Sequence, residues 1–318
     1  MTDALQQLPG VIASRDWGLF GPQTYALGVD IGSYGLRAVL ADLHGARLSH
    51  RELEPRPDST AATVMADILQ LVRDLLSAEG VRPGHLVRIG VGFSGPVDAA
   101  RGVTRRSYRM SGWDDLNVCE QFEQAFDAMT LVENDASLIA LAEHTFGVGR
   151  EVRDLYYLHL STGVGSGLVL NGHLHRGVTT SAGEIGHARL ALDGERELED
   201  ILSVRGLLRR AGELGLETDD LGALFADGRA GKQTIAELVD RLGVGLAGIV
   251  QLLDPALLVL GGIVARKGGP AFCQAVGERV NRLIAPVPAR QIPVVASSLG
   301  TDAVAIGGLA MALHSMNE

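Results

Sequence analysis

The chain has 318 residues, 46% hydrophobic and 21% charged, which excludes a disordered tail or a coiled coil and leaves room for two domains with real cores. A formal net charge of −10 argues against a surface that holds nucleic acid mainly by neutralising phosphates. Two cysteines, Cys119 and Cys273, make neither a disulfide framework nor a four-thiolate zinc site within one chain. Glycine, at 41 residues, is about twice its usual share, which points to many tight turns or to backbone that approaches a ligand. The N-terminus lacks the basic start and apolar run of a secretory signal. The longest apolar stretch, 252–264, is broken by Asp254 and Pro255, so no membrane partner is expected and the protein reads as cytoplasmic.

Residues 1–24 carry no clear period and read as a leader or docking arm. Tyr25–Asp30, Leu36–Asp42 and Arg47–Glu52 then form a predicted meander with tight turns. Apolar residues from Val64 to Leu76 recur at helical spacing within 59–77. Val87–Phe93 reads as a strand ended by Ser94-Gly95-Pro96, and Met129–Val132 as a shorter one. Ala136–Phe146 reads as a helix with Asn134 or Asp135 at its N-cap. The second half repeats this plan. Leu155–Leu160 is a strand, 161–167 a glycine-rich turn, Leu168–Leu170 a strand and Asn171-Gly172 a hairpin turn, which suggests an internal duplication. Later come a helix over 232–253, a strand over 257–260 running into Gly261-Gly262, a helix over 271–284, a strand over 292–296 and a small-residue helix over 303–314. Strands alternating with helices give an α/β chain.

Four stretches in this order resemble the ROK family of bacterial sugar kinases and sugar-responsive repressors, within the actin-like ATPase superfamily. Asp30-Ile31-Gly32-Ser33-Tyr34-Gly35-Leu36-Arg37 resembles the first phosphate motif and Glu133-Asn134-Asp135-Ala136 the catalytic stretch. Ser161-Thr162-Gly163-Val164-Gly165-Ser166-Gly167 resembles the second phosphate motif, and Ala182-Gly183-Glu184-Ile185-Gly186-His187 the sugar-binding signature. The resemblance implies two actin-like (ribonuclease H-like) domains around a cleft. On this reading residues 1–24 are a leader, 25–134 plus 302–318 the N-terminal domain and 135–301 the C-terminal domain. It also implies a homodimer.

Phosphoryl transfer to a sugar hydroxyl needs a base at the hydroxyl and donors around the phosphates. By resemblance Asp135 is that base, although the local sequence alone also allows it as a helix cap. Asn134, Glu184, His187 and Glu199 match sugar ligands of the family, and the loop from Gly95 would shape the sugar site. The turn with Thr162, Gly163 and Gly165 suits backbone N–H contacts to phosphate, and Gly261-Gly262 would let a nucleoside lie against backbone. Asp30 and Gly32 complete the nucleotide side, with Mg·ATP as cofactor and Asp30 near the metal.

Three departures weigh against a working kinase. Ser33 and Tyr34 stand where kinases of the family carry Gly and Thr. The zinc-loop cysteines are missing from 188–203, so no structural zinc is expected and His187 would be oriented by a hydrogen bond instead. Arg109 replaces a sugar-binding Asn, and its planar fork suits an acidic or phosphorylated sugar, or a pair with Asp114 or Asp115. Residues 1–24 are too few, and not basic, for the winged helix-turn-helix of the family's repressors, so no nucleic acid is expected to bind through this chain alone. The expectation is an ATP-dependent sugar kinase. The alternative is a sugar sensor or regulator homologue without kinase activity or DNA-binding module.

Overall fold

A computed structural model describes residues 8–12, 17, 20–32, 35–44, 48–54, 59–82, 84–105, 111–189, 196–226, 228–284 and 291–316. Ser33, Tyr34 and Arg109, on which the first and third departures rest, lie outside them, as do 190–195 of the stretch on which the second rests. The chain is mixed α/β and forms two compact units. The first comprises 1–150, 176–182 and 298–318, and the second 151–175 and 183–297.

The sheet of the first unit contains β1 (Tyr25–Gly32), β2 (Gly35–Asp42), β3 (Leu48–Leu53), β4 (Leu86–Phe93) and β7 (Met129–Asn134) in the order β3-β2-β1-β4-β7. Strands β1, β2 and β3 pair antiparallel, while β4 and β7 run parallel to β1. A small hairpin, β5 (Val97–Asp98) with β6 (Val103–Thr104), follows β4. One face of the sheet presents Leu27, Val29, Ile31, Val91 and Phe93 to helix α1 (Ala61–Ala78), whose Val64, Ile68, Val72 and Leu75 are buried at helical spacing. Helix α2 (Val118–Phe126) adds Phe122 to this core. On the other face lie helix α3 (Asp135–Thr145) and the final helix, here α8 (Ala303–His314).

That second face explains part of the glycine excess. A Cβ on Gly28 would lie 1.9 Å from the Ala305 carbonyl oxygen, and one on Gly90 1.9 Å from that of Gly308. Bare backbone at these strand positions lets α8 settle directly onto the sheet. Strand alternation also puts Asp30 on the side of the sheet that faces α8.

The second unit repeats the topology with β8 (Leu155–Leu160), β9 (Val164–Leu170), β10 (His173–Leu174), β11 (Leu257–Gly261) and β12 (Val294–Ala296) in the order β10-β9-β8-β11-β12. Pairing is antiparallel on the β9 side and parallel on the β11 side, the same plan as in the first sheet. Its helices are α4 (Leu198–Leu202), α5 (Val204–Glu213), α6 (Arg229–Leu253) and α7 (Gly262–Leu283), the last kinked at Gly269-Pro270.

Two expectations change. The turn expected over 161–167 is only 161–163, because Gly165 and Gly167 pair with His159 and Tyr157 and belong to β9. The leader is less loose than its lack of period suggests: residues 8–12 are helical, Leu8, Ile12 and Trp17 are buried, and Trp17 Nε1 donates to the Ile12 carbonyl at 3.0 Å.

Candidate functional site

In the first unit the end of β7 meets the start of α3. Asn134 caps the helix, its Oδ1 accepting from the backbone N–H groups of Ala136 at 2.9 Å and Ser137 at 3.2 Å. The capping role left open by the sequence therefore falls to Asn134, and Asp135 is the first helical residue. Asp135 Oδ2 accepts from Ser94 Oγ at 2.8 Å, while Asn134 Nδ2 donates to the Gly95 carbonyl at 3.2 Å. Ser94 and Gly95 follow β4, so two adjacent parallel strand ends hold the Asp135 carboxylate.

Sequence reasoning missed the group beneath. Glu133 is 1% exposed, with Oε1 accepting from the Asn134 N–H at 3.0 Å and Oε2 from Arg176 Nε at 2.6 Å. A glutamate at the end of an apolar strand was the available signal, since a buried charge demands a partner.

The first phosphate motif also carries an ionic network. Asp30 and Arg37 are directly opposed across β1 and β2, and Arg37 Nη1 lies 3.4 Å from Asp30 Oδ2. Arg37 Nε is 3.5 Å from Glu52 and 3.8 Å from Asp302, and His50 Nε2 is 3.0 Å from Asp302 Oδ1. Burial pushes the Asp30 carboxyl up to about 7. Arg37 opposes that rise, while the like charges of Asp135 and Asp302 add to it. A Cβ on Gly32 would lie 3.0 Å from Asp30 Oδ1, so Gly32 sits directly against this carboxylate. Arg105 pairs with Asp98 and Asp115.

In the second unit the turn carrying Thr162 and Gly163 joins β8 to β9, and Gly165 is the second residue of β9. Glu199 Oε2 accepts from the Val164 N–H at 3.0 Å, which ties α4 to the end of this turn. The stretch 183–187 runs along β9. The Gly183 carbonyl accepts from Ser166 N at 3.0 Å and from Ser166 Oγ at 2.8 Å. A Cβ on Gly183 or Gly186 would lie 2.3 or 2.2 Å from the carbonyl oxygens of Ser166 and Val164. Both glycines are thus required by close approach of two backbones. Glu184 precedes a single 3-10 turn, Ile185–His187. His187 Nδ1 lies 3.0 Å from Glu197 Oε2. The His187 interaction holds the Glu197 carboxylate below its usual range. Among the described residues, no group of three or more His, Cys, Asp or Glu is arranged to hold a metal ion.

Gly261 and Gly262 have a packing explanation. Tyr157 Oη occupies the place of a Gly261 Cβ at 2.1 Å, and the Leu160 carbonyl oxygen that of a Gly262 Cβ at 2.1 Å. Gly262 also has φ 83°. Their lack of side chains is needed for β11 to sit beside β8, whatever ligand they meet.

The family model described as ROK family matches residues 26–315. The chain belongs to the ROK family. It is 27% identical over 308 residues to a glucokinase of Halalkalibacterium halodurans, covering 89% of this chain and 93% of that protein. It is 25% identical over 305 residues to the xylose repressor of Bacillus spizizenii, covering 89% of this chain and 75% of the repressor. The structure of a ROK hexokinase from Thermus thermophilus superposes with a TM-score of 0.80 at 29% identity, covering 92% of this chain and 99% of that one. The doubled sheet is therefore the fold of this family of ROK kinases and repressors. Among the described residues no helix is long and apolar enough to cross a membrane.

Proposed function

We propose that this ROK protein is an ATP-dependent kinase that phosphorylates a sugar hydroxyl, with Asp135 as the general base. The observation that carries this reading is the division of labour at the start of α3. Asn134 caps the helix, while the Asp135 carboxylate accepts from Ser94 Oγ through Oδ2 at 2.8 Å and from the Ala136 N–H through Oδ1 at 2.7 Å, each oxygen keeping acceptor capacity for a substrate hydroxyl. A fixed carboxylate can take the hydroxyl proton as that oxygen attacks the γ-phosphoryl group. The Ser94 contact restrains the side chain, which keeps a reacting oxygen and its base in one geometry. Similarity to a glucokinase and a hexokinase supports the reaction class.

Within the second unit, Glu184, His187 and Glu199 are the proposed sugar ligands and the turn at Thr162-Gly163 the proposed phosphate cradle. The His187–Glu197 contact would fix which imidazole nitrogen faces a hydroxyl. Asp30 is a hard oxygen donor near the end of β1, close against Gly32, which fits Mg²⁺ held mainly by the nucleotide phosphates. Bound there, the metal would draw charge from the phosphoryl oxygens. A cytoplasmic homodimer is part of the same reading.

One observation favours a sugar sensor that transfers no phosphate, in line with the xylose repressor likeness. Arg37 already places a cation against Asp30. Calorimetric titration of Mg·ATP, followed by a hexose, pentose and amino-sugar screen, separates the two. The kinase reading requires saturable ATP binding and sugar phosphorylation that falls at least a thousand-fold in Asp135→Asn. Sugar binding with no ATP binding at millimolar concentration would overturn it in favour of the sensor.

A further inference from the structure

Residues Arg176–Ala182 group with the first unit, although the chain on either side belongs to the second. The segment closes on itself through the Ala182 N–H and the Arg176 carbonyl at 3.1 Å. It holds the first unit through the side chains of Arg176 and Thr180. Arg176 Nε meets the buried Glu133 carboxylate at 2.6 Å, and Thr180 Oγ1 donates to the Val97 carbonyl at 2.9 Å. These two contacts lie beside the two segments that hold Asp135. Glu133 adjoins Asn134 and accepts from its N–H, and Val97 follows the Ser94-Gly95-Pro96 turn. Thr180 has φ 59°, a conformation a β-branched residue adopts only when its surroundings impose it. The loop then runs without a break into Gly183-Glu184 and on to His187.

We propose that 176–182 is a positioning arm. Arg176 and Thr180 align the Asn134–Asp135 site, and the arm links that alignment by chain connectivity to the 184–187 stretch. The proposal rests on the reading of Asp135 as the site of sugar chemistry. Neither residue is catalytic, since each acts through Glu133 or Val97.

Hydrogen exchange and kinetics on the full chain test it. The variants are Arg176→Gln, Arg176→Lys, Thr180→Gly and the charge-neutral double change Glu133→Gln/Arg176→Gln. Thr180→Gly relieves the backbone and the double change leaves no lone buried charge, so both should fold. The expected result is at least ten-fold faster exchange at 134–137 in Arg176→Gln, Thr180→Gly and the double variant, with the β2 amides unchanged and Arg176→Lys intermediate. On the sugar that the wild type phosphorylates, kcat should fall at least ten-fold with KM for ATP within two-fold, and Arg176→Lys should recover part of the loss. Wild-type exchange at 134–137 in both Thr180→Gly and the double variant would overturn the proposal. So would equal acceleration across the whole first unit. If the wild type phosphorylates no sugar, the kinase reading falls, while the exchange data still decide the arm.

Discussion

Asp30 is subject to opposing influences. Removal from water favours its neutral form, and the Arg37 guanidinium at 3.4 Å favours the charged one. Burial wins, because the carboxyl rises from 3.8 to about 7. Between these values the folded protein binds a proton that the unfolded chain has released. The resulting stability is present in full below about pH 4 and is lost as pH rises through 7. Asp30→Asn, which carries no charge at any pH, should therefore raise Tm relative to the wild type at pH 8.5 in metal-free buffer. The gain should shrink to nothing near pH 4, as followed by calorimetry across that range. A constant difference at all pH values would mean that Arg37 already holds Asp30 ionised. Cys119 follows the same logic with a different readout. Burial, with Glu123 nearby, pushes its thiol up to about 12. Thiol titration of the folded protein at pH 8 should show no fast reaction at this residue, and urea should expose it.

At the scale of elements, glycine has opposite meanings in two helices. Gly308 in α8 faces the sheet, and a Cβ there would lie 2.3 Å from the Gly90 carbonyl oxygen. Gly248 in α6 has nothing within 4 Å of that position. Gly308→Ala should cost about 1–3 kcal/mol or more, since backbone must move. Gly248→Ala should add about 0.5–1 kcal/mol, the ordinary helix gain over glycine. Urea denaturation of both variants checks the pair, and equal signs would refute the argument. These positions also mark what the sequence could tell. Strand β8 and helix α8 were legible to the residue because apolar residues dominate both and their runs are sharply bounded. Helices α2, α4 and α5 were missed. In α5 the polar sequence VRGLLRRAGE buries only Gly206, Leu207 and Ala211, so its apolar stripe is too thin to stand out. The start of α7 was hidden because Gly262, Gly268 and Gly269 read as loop. At the site, Asn134 and Asp135 were legible as a strand-to-helix junction. The Ser94 and Arg176 contacts were not, because they join residues 41 and 43 positions apart, which no local pattern records.

Across the whole molecule, the first unit is assembled from three separate stretches of chain, and the last is secured by one buried carboxylate. Glu143 in α3 is fully buried. It accepts from the N–H groups of Ser298 at 2.7 Å, Leu299 at 3.3 Å and Val148 at 3.0 Å, and from Ser298 Oγ at 3.1 Å. The segment so held leads directly into α8, whose Ile306, Leu309 and Leu313 are fully buried. Glu143→Gln keeps the shape but replaces one acceptor oxygen with an N–H₂ group facing donors. Each buried donor left unpaired costs about 1–3 kcal/mol, so the first unit should lose about 2–5 kcal/mol. The two tryptophans, Trp17 and Trp113, are both in the first unit and both buried, so their fluorescence reports that unit alone. Far-ultraviolet circular dichroism reports both. The variant should show a fluorescence midpoint at lower urea and a circular dichroism curve split into two steps, the second near the wild-type position. A single step, shifted equally in both signals, would show instead that the units unfold as one cooperative body. In that case the Glu143 contacts would stabilise the chain as a whole rather than the first unit.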